Sequence, residues 1–266
     1  MWRILLLTLV TVATTTGLPA QIPEPPEGGV GTGHVHLRVS EADYDEHKRL
    51  LVEGLGARVG ALGRLEAFLI PDVVILVSQG DHEGGSIGTS INHIGFLVKD
   101  LAAAEAKWQA AGGVTLPGRP SPTQVFIELP GGTKVELSEN KDLDVPIRNH
   151  HIHFYTDSDT ATQAWYIEMF GAVAGTRGPF HTGDLAGVEL TFANSETPVV
   201  GTQGHGVDHI GFEVKNLEEF CKTLEAKGVE FDRPYRSIPA LGLGIAFFTD
   251  PWGTYVELTE GLTQLK

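Results

Sequence analysis

The feature that most constrains this chain is an internal repeat. His93–Leu101 reads His-Ile-Gly-Phe-Leu-Val-Lys-Asp-Leu, and His209–Leu217 reads His-Ile-Gly-Phe-Glu-Val-Lys-Asn-Leu. Weaker versions open at Gly33, "GHVHLRV", and at His150, "HHIHFYT", so a histidine stands near the start of four strand-like segments. After each comes a stretch with apolar residues three or four apart, closed by glycine: "EADYDEHKRLLVEGLG", "LAAAEAKWQAAGG", "SDTATQAWYIEMFGA" and "LEEFCKTLEAKG". That periodicity and those glycines predict helices. Three short strands complete each unit, so the chain reads as four βαβββ repeats and the fold class is α+β.

A second echo closes the even units. "FIELPGGTKVELSE" begins at Phe126 and "FFTDPWGTYVELTE" at Phe247. Proline fixes one turn dihedral and glycine permits a positive φ, so each marks a tight hairpin. His34 to His151 is 117 residues, His93 to His209 is 116 and Glu136 to Glu257 is 121, which indicates a doubled pair. The expected division is a first βαβββ-pair domain at 33–140 and a second at 149–261, joined near "NKDLDVPIRN".

Strand alternation sends Ile94, Phe96 and Val98 to one face and His93 to the other. In the last strands, Val135 and Leu137, like Val256 and Leu258, oppose Glu136 and Glu257. An imidazole and a carboxylate facing one hollow need a partner there, because a buried unpaired charge is costly. A divalent cation meets that need. The candidate ligands are His34, His93 and Glu136 in one half and His151, His209 and Glu257 in the other. Two histidines and one carboxylate leave coordination positions open, as catalytic sites require. His36 and His153, two residues further along their strands, are candidates for proton transfer beside the metal. Leu76 and Phe192 are placed where a further glutamate would repeat, and Glu189 is read as a solvated strand residue off that position. His47, His82, His181 and His205 are read as surface groups, and Cys221 as a small core residue.

These openings and the Asp-Pro-x-Gly-x-x-x-Glu ending resemble the vicinal oxygen chelate superfamily, which includes glyoxalase I, bleomycin resistance proteins and extradiol dioxygenases. The resemblance covers residues 33 to 261. It implies two glyoxalase/dioxygenase-like domains, each an open eight-stranded cup with helices outside, holding a divalent metal, Fe(II), Mn(II) or Zn(II), one or two per chain. The metal would bind neighbouring oxygens of a small-molecule substrate. Members also exchange units between domains, which would bring His34 to His209 and Glu257 instead.

The resemblance is to fold more than to reaction. Phe247 stands where extradiol dioxygenases carry tyrosine, and "SIPALGLGIAF" has no histidine. No carboxylate is available at Leu76 or Phe192 for glyoxalase-like proton transfer. Dioxygenase action is the first expectation, a lyase or isomerase the second, and a metal-free small-molecule binding protein the third.

Residues 1–20 combine Arg3, an apolar run from Ile4 to Val12 and small residues before Gln21, the pattern of a signal peptide. A secreted or periplasmic location follows, with a flexible Pro/Gly linker at 21–32. The formal charge of −15 disfavours nucleic acid and anionic membrane surfaces as partners. Monomer and homodimer are both compatible with the sequence.

Overall fold

The structure, a computed structural model, describes residues 22–265. The signal-peptide reading falls on residues outside that range. Unit 1 comprises β1 (Val30–Val39), α1 (Tyr44–Arg49), β2 (Arg58–Leu62), β3 (Leu65–Ile70) and β4 (Val73–Gln79). Wider π-type turns extend α1 through Leu50–Leu55. Unit 2 comprises β5 (Ile91–Val98), α2 (Leu101–Ala110), β6 (Val114–Thr115), β7 (Gln124–Leu129) and β8 (Thr133–Glu139). Unit 3 holds β9 (Ile147–Thr156), α3 (Asp159–Phe170), β10 (Val173–Arg177), β11 (Phe180–Leu185) and β12 (Val188–Asn194). Unit 4 holds β13 (Val207–Val214), α4 (Leu217–Ala226), β14 (Phe231–Ile238), β15 (Leu243–Thr249) and β16 (Tyr255–Glu260).

Local chemistry sets the helix ends. Asp100 and Ser158 accept hydrogen bonds from the Ala103 and Ala161 amides, capping α2 and α3. Gly171 closes α3 in the left-handed conformation that glycine adopts without steric cost.

The four units build two eight-stranded sheets, but not by halves of the chain. The first sheet runs β14-β15-β16-β13-β1-β4-β3-β2 and the second β10-β11-β12-β9-β5-β8-β7-β6. Unit 1 therefore pairs with unit 4, and unit 2 with unit 3, which corrects the division into 33–140 and 149–261. At the centre of each sheet the opening strands of the two units lie antiparallel, β1 on β13 and β9 on β5. A steric fit between a histidine and a glycine, developed below, sets an odd unit against an even one in each sheet.

Alternation places the apolar faces as the sequence indicates. Ile94, Phe96, Val98, Val135, Leu137, Val256 and Leu258 all enter one large core that draws on both sheets and all four units. Trp108 and Tyr166, from α2 and α3, are fully buried in it. The opposite faces form the two cups. Cys221 is a buried core residue, its thiol pushed up to about 12 chiefly by burial.

Residues 22–29 do not form the free linker expected of 21–32. Ile22 is buried among Leu69, Val74 and Leu262, and β1 begins at Val30. The cause is the apolar Ile22 side chain, together with the Thr32 amide bonding to the Ala186 carbonyl of unit 3.

Units 3 and 4 also meet through a buried polar contact. The Tyr166 hydroxyl donates to Asp250 Oδ2 at 2.8 Å, while Asp250 Oδ1 accepts from the Trp252 and Thr254 amides at 2.9 and 2.8 Å. Asp250 thus shapes its own turn and ties it to α3. Burial pushes its carboxyl up to about 6, against the opposing effect of those hydrogen bonds. A raised folded-state value means the native protein holds the proton longer than the unfolded chain, so this group's contribution falls as pH rises through about 6. Asp250→Asn should therefore gain about 1.4 kcal/mol relative to the parent between pH 5 and pH 8. Urea unfolding at the two pH values checks this, since slopes from buried histidines cancel in the difference.

Candidate metal centres

Each cup is built around the two central strands. In the first, His34 of β1 lies opposite Gly211 of β13, and His36 lies opposite His209. In the second, His151 of β9 lies opposite Gly95 of β5, and His153 opposite His93. A β-carbon at Gly211 would overlap the His34 ring, and one at Gly95 the His151 ring. Neither glycine has a positive φ, so the demand is for space rather than for backbone conformation. The glycine of His-Ile-Gly-Phe makes room for the odd unit's histidine to lie across the strand.

A bulge re-aims each of these histidines. The register skips Gly33 and Asp208 in the β1–β13 pair, and Asn92 and His150 in the β5–β9 pair. Each skipped residue immediately precedes a cup histidine. A bulge bends its strand and lets the extra residue approach its neighbour's ring. His209 Nδ1 accordingly lies 2.5 Å from Asp208 Oδ1, His93 Nδ1 2.9 Å from Asn92 Oδ1, and His151 Nδ1 2.9 Å from His150 Nδ1. His34 follows a glycine, and its Nδ1 has no hydrogen-bond partner among the described residues. Orienting partners of this kind fix which nitrogen faces a metal. The reading of the sequence missed Asp208, Asn92 and His150, although their place directly before each histidine was the available signal.

The remaining nitrogens converge on a carboxylate. In the first cup Glu257 Oε2 lies 2.9 Å from His34 Nε2 and 3.1 Å from His209 Nε2. In the second, Glu136 Oε2 lies 3.2 Å from His93 Nε2 and 3.8 Å from His151 Nε2. The predicted ligands thus assemble as His34, His209, Glu257 and as His93, His151, Glu136. The grouping by halves, which put His34 with His93 and His151 with His209, is corrected by the exchanged pairing of the units.

These contacts test whether a cation fits. His93 Nε2 stands within 3.3 Å of His151 Nε2, His153 Nδ1 and Glu136 Oε2. One nitrogen carries at most one proton and can donate along only one of these directions. Donors on adjacent positions of an ion at about 2.1 Å lie about 3 Å apart, close to the spacings found here. The residues fit a divalent cation better than a hydrogen-bond network.

Electrostatics agree. Burial opposes a charge on Glu136, yet hydrogen bonds from His93, Ser138 and Gln124 outweigh it and hold the carboxyl down at about 2. Glu257 is likewise held below the usual carboxylate range, with His34 and His209 overcoming burial. Burial, then neighbouring imidazoles, pushes His36 down to about 3; burial, then His93, brings His153 to about 2. His93 and His151 are also lowered, first by burial. Ionised carboxylates and neutral imidazoles are the forms that bind metal. His209 runs the other way, because Asp208 and Glu257 outweigh its burial.

Three further expectations change and one holds. The strand register sets Thr191, not Phe192, at the position of the missing glutamate, since His153 pairs with Thr191 as Gly95 pairs with Glu136. Phe192 faces the core and is fully buried. Glu189 lies two residues from Thr191 on the same face and is not free in solvent: it accepts from Arg177 Nε at 2.7 Å and from the Thr191 hydroxyl at 2.7 Å. His47 is buried rather than exposed. Leu76 does occupy the vacant position of the first cup, opposite His36.

The first cup opens into a cavity of about 520 Å³. Leu76, Ile245, Phe247 and Tyr255 supply apolar walls beside His36, His209 and Glu257, and Arg233 stands over the Phe247 ring at 5.2 Å. Tyr155 flanks the second cup, its ring 5.1 Å from His153. Among the described residues no helix is long and apolar enough to cross a membrane.

Paired βαβββ units forming open cups with inward histidines and a glutamate define the class of the protein. Residues 148–258 match the Glyoxalase/Bleomycin resistance protein/Dioxygenase superfamily. The matched segment spans units 3 and 4 and so contributes half of each sheet. Glyoxalase I from Zea mays has the same fold, with a TM-score of 0.69 at 16% identity, over 88% of this chain and 93% of that one. A proposed dioxygenase from Bacillus subtilis superposes with a TM-score of 0.66 at 15% identity, over 88% of this chain and 86% of that one. A search of curated protein sequences gave no match. Units 3 and 4 thus match the glyoxalase, bleomycin resistance and dioxygenase superfamily in sequence, and the whole chain has the fold of glyoxalase I.

Because His34 and His151 each lie where a methyl at the facing glycine would be, Gly211→Ala and Gly95→Ala should each destabilise the fold by about 1–3 kcal/mol through overpacking. Urea unfolding measures the loss, and histidine ring NMR signals should shift in the affected cup only.

Proposed function

We propose that this protein is a metal-dependent enzyme that binds a small molecule through two neighbouring oxygens. The observation that carries the reading is the convergence, twice, of two buried imidazoles on one ionised carboxylate. His34, His209 and Glu257 would hold one ion, and His93, His151 and Glu136 a second. A divalent ion bound there supplies a Lewis-acidic centre to which oxygen ligands are drawn. Its identity, Fe(II), Mn(II) or Zn(II), is a matter for measurement.

The chain's own residues prepare the first cup for that task. Asp208 fixes the His209 ring so that Nε2 faces inward, and Glu257 stays ionised between two imidazoles. Leu76, Ile245 and Phe247 give the cavity an apolar wall, which favours a substrate with an apolar part, while Arg38, Asp81 and Arg233 line it with charge. Phe247 has no proton to give, so a proton moved there passes through His36, Tyr255, a carboxylate or the substrate itself. His36 lines the same cavity as a neutral base, the role proposed for it and, in the second cup, for His153.

For the reaction we favour oxidation by dioxygen, because two imidazoles and one carboxylate leave positions vacant. A lyase or isomerase reaction is the second reading. The absence of a carboxylate at Leu76 and Thr191 argues against it, and the neutral His36 beside the cavity argues for it. The pattern of residues 1–20 supports export of the protein.

Elemental analysis of chelator-free protein should find two metals per chain, falling to one in Glu257→Ala and to one in Glu136→Ala. His34→Ala should remove the metal that His209→Ala removes, so the two together cost one ion and not two. No metal after reconstitution would leave a small-molecule binding protein. Oxygen uptake by Fe(II)-loaded protein on catecholic or 2-oxo acid substrates, against turnover without oxygen on Zn(II), separates the two reactions.

A further inference from the structure

We infer that His36 and His153 are ligands themselves, so that each cup presents three imidazoles and one carboxylate to its ion. The inference rests on the metal-binding reading above and deepens it, with coordination taking the place of the proton-transfer role given there to His36 and His153. A strictly two-fold cup would carry the same residue at the equivalent positions 36 and 211, and at 153 and 95. Instead the odd unit has histidine where the even unit has glycine. The glycine is explained by the ring that crosses it, but the histidine is not explained by packing.

Its position is that of a donor. Ligand atoms of His34, His36 and His209 lie within 4.8 Å of one another, as do those of His93, His151 and His153. His153 Nδ1 comes within 3.3 Å of His93 Nε2, while His153 Nε2 is buried with no hydrogen-bond partner. The His36 and His209 rings have centroids 4.4 Å apart. Neutral imidazoles brought this close, with a nitrogen left unpaired away from water, gain from a shared cation what they cannot gain from each other.

The strand register supplies the second argument. The place across from each glutamate is taken by Leu76 in one cup, which cannot coordinate, and by Thr191 in the other, whose hydroxyl is committed to Glu189. His36 and His153 are the residues paired with those two positions. Each cup thus lacks a fourth donor where the repeat would place one and has a histidine on the adjoining strand. With four protein donors, an octahedral ion keeps two positions, the number that one molecule with neighbouring oxygens fills. The ligand class narrows to bidentate oxygen chelators, and dioxygen would have to compete for the same two positions.

The test counts nitrogens. A chain carrying His93→Ala leaves the first cup to bind one equivalent of Cu(II), and pulsed electron paramagnetic resonance then reports the coupled imidazoles. Three are expected, falling to two when His36→Phe is added, with at least a tenfold weaker Cu(II) affinity. The mirror experiment uses His209→Ala with and without His153→Phe. Circular dichroism, and retention of the other cup's metal in the single variants His36→Phe and His153→Phe, control for folding. Two imidazoles in both members of each pair, with metal bound, would overturn the inference and leave the metal-binding reading intact. Failure of the otherwise unaltered chain to bind Cu(II) would overturn both.

Discussion

Everything in this molecule depends on one cross-strand contact made twice: an imidazole lying over a glycine. His34 over Gly211 and His151 over Gly95 set each odd unit against an even one, because only the even units leave a bare strand position opposite those rings. The same contact fixes register. A slip of one residue would turn every cup side chain into the core and expel Ile94, Phe96 and their equivalents to solvent. Odd-to-even pairing, register and donor convergence are consequences of a single packing event in the middle of each sheet.

The two cups share a donor skeleton and differ behind it. Asp208 backs His209 with negative charge, whereas Asn92 and His150 back the second cup. Lys134 bonds to Asn92, and the Arg177–Glu189 pair stands close to the second cup. By Coulomb's law the first cup attracts a divalent ion more strongly. It is also the one with a hydrocarbon-walled cavity, so its environment favours both the ion and a ligand with an apolar body.

Much of this was legible in the sequence. Periodicity of two showed which strand residues face the core, and the repeats showed that His34, His93, His151, His209, Glu136 and Glu257 occupy equivalent places. Partner choice between units was not legible, because spacings along the chain say nothing of which opening strands meet. The vacant glutamate position slipped from Thr191 to Phe192, since the long irregular connection after β12, residues 195–206, offers no fixed point for counting back. Glu189 was misjudged for a related reason: its partner Arg177 comes from β10, two strands away. The bulges were hidden as well. They show only as a two-against-one register, yet they explain why the residue before each cup histidine matters.

The exchanged pairing also sets an order on assembly. The second cup needs only residues 93 to 153, a loop of modest span, whereas the first joins His34 to Glu257 across almost the whole chain. Contacts so distant in sequence are slow to form, because the intervening chain must be organised before they gain anything. As the chain is synthesised from its N-terminus, β1 waits with an unpaired edge until unit 4 is complete, while units 2 and 3 can already pair. Residues 207–260 therefore act as a clasp, and an incomplete chain would carry one finished cup beside an exposed strand inviting the wrong neighbour.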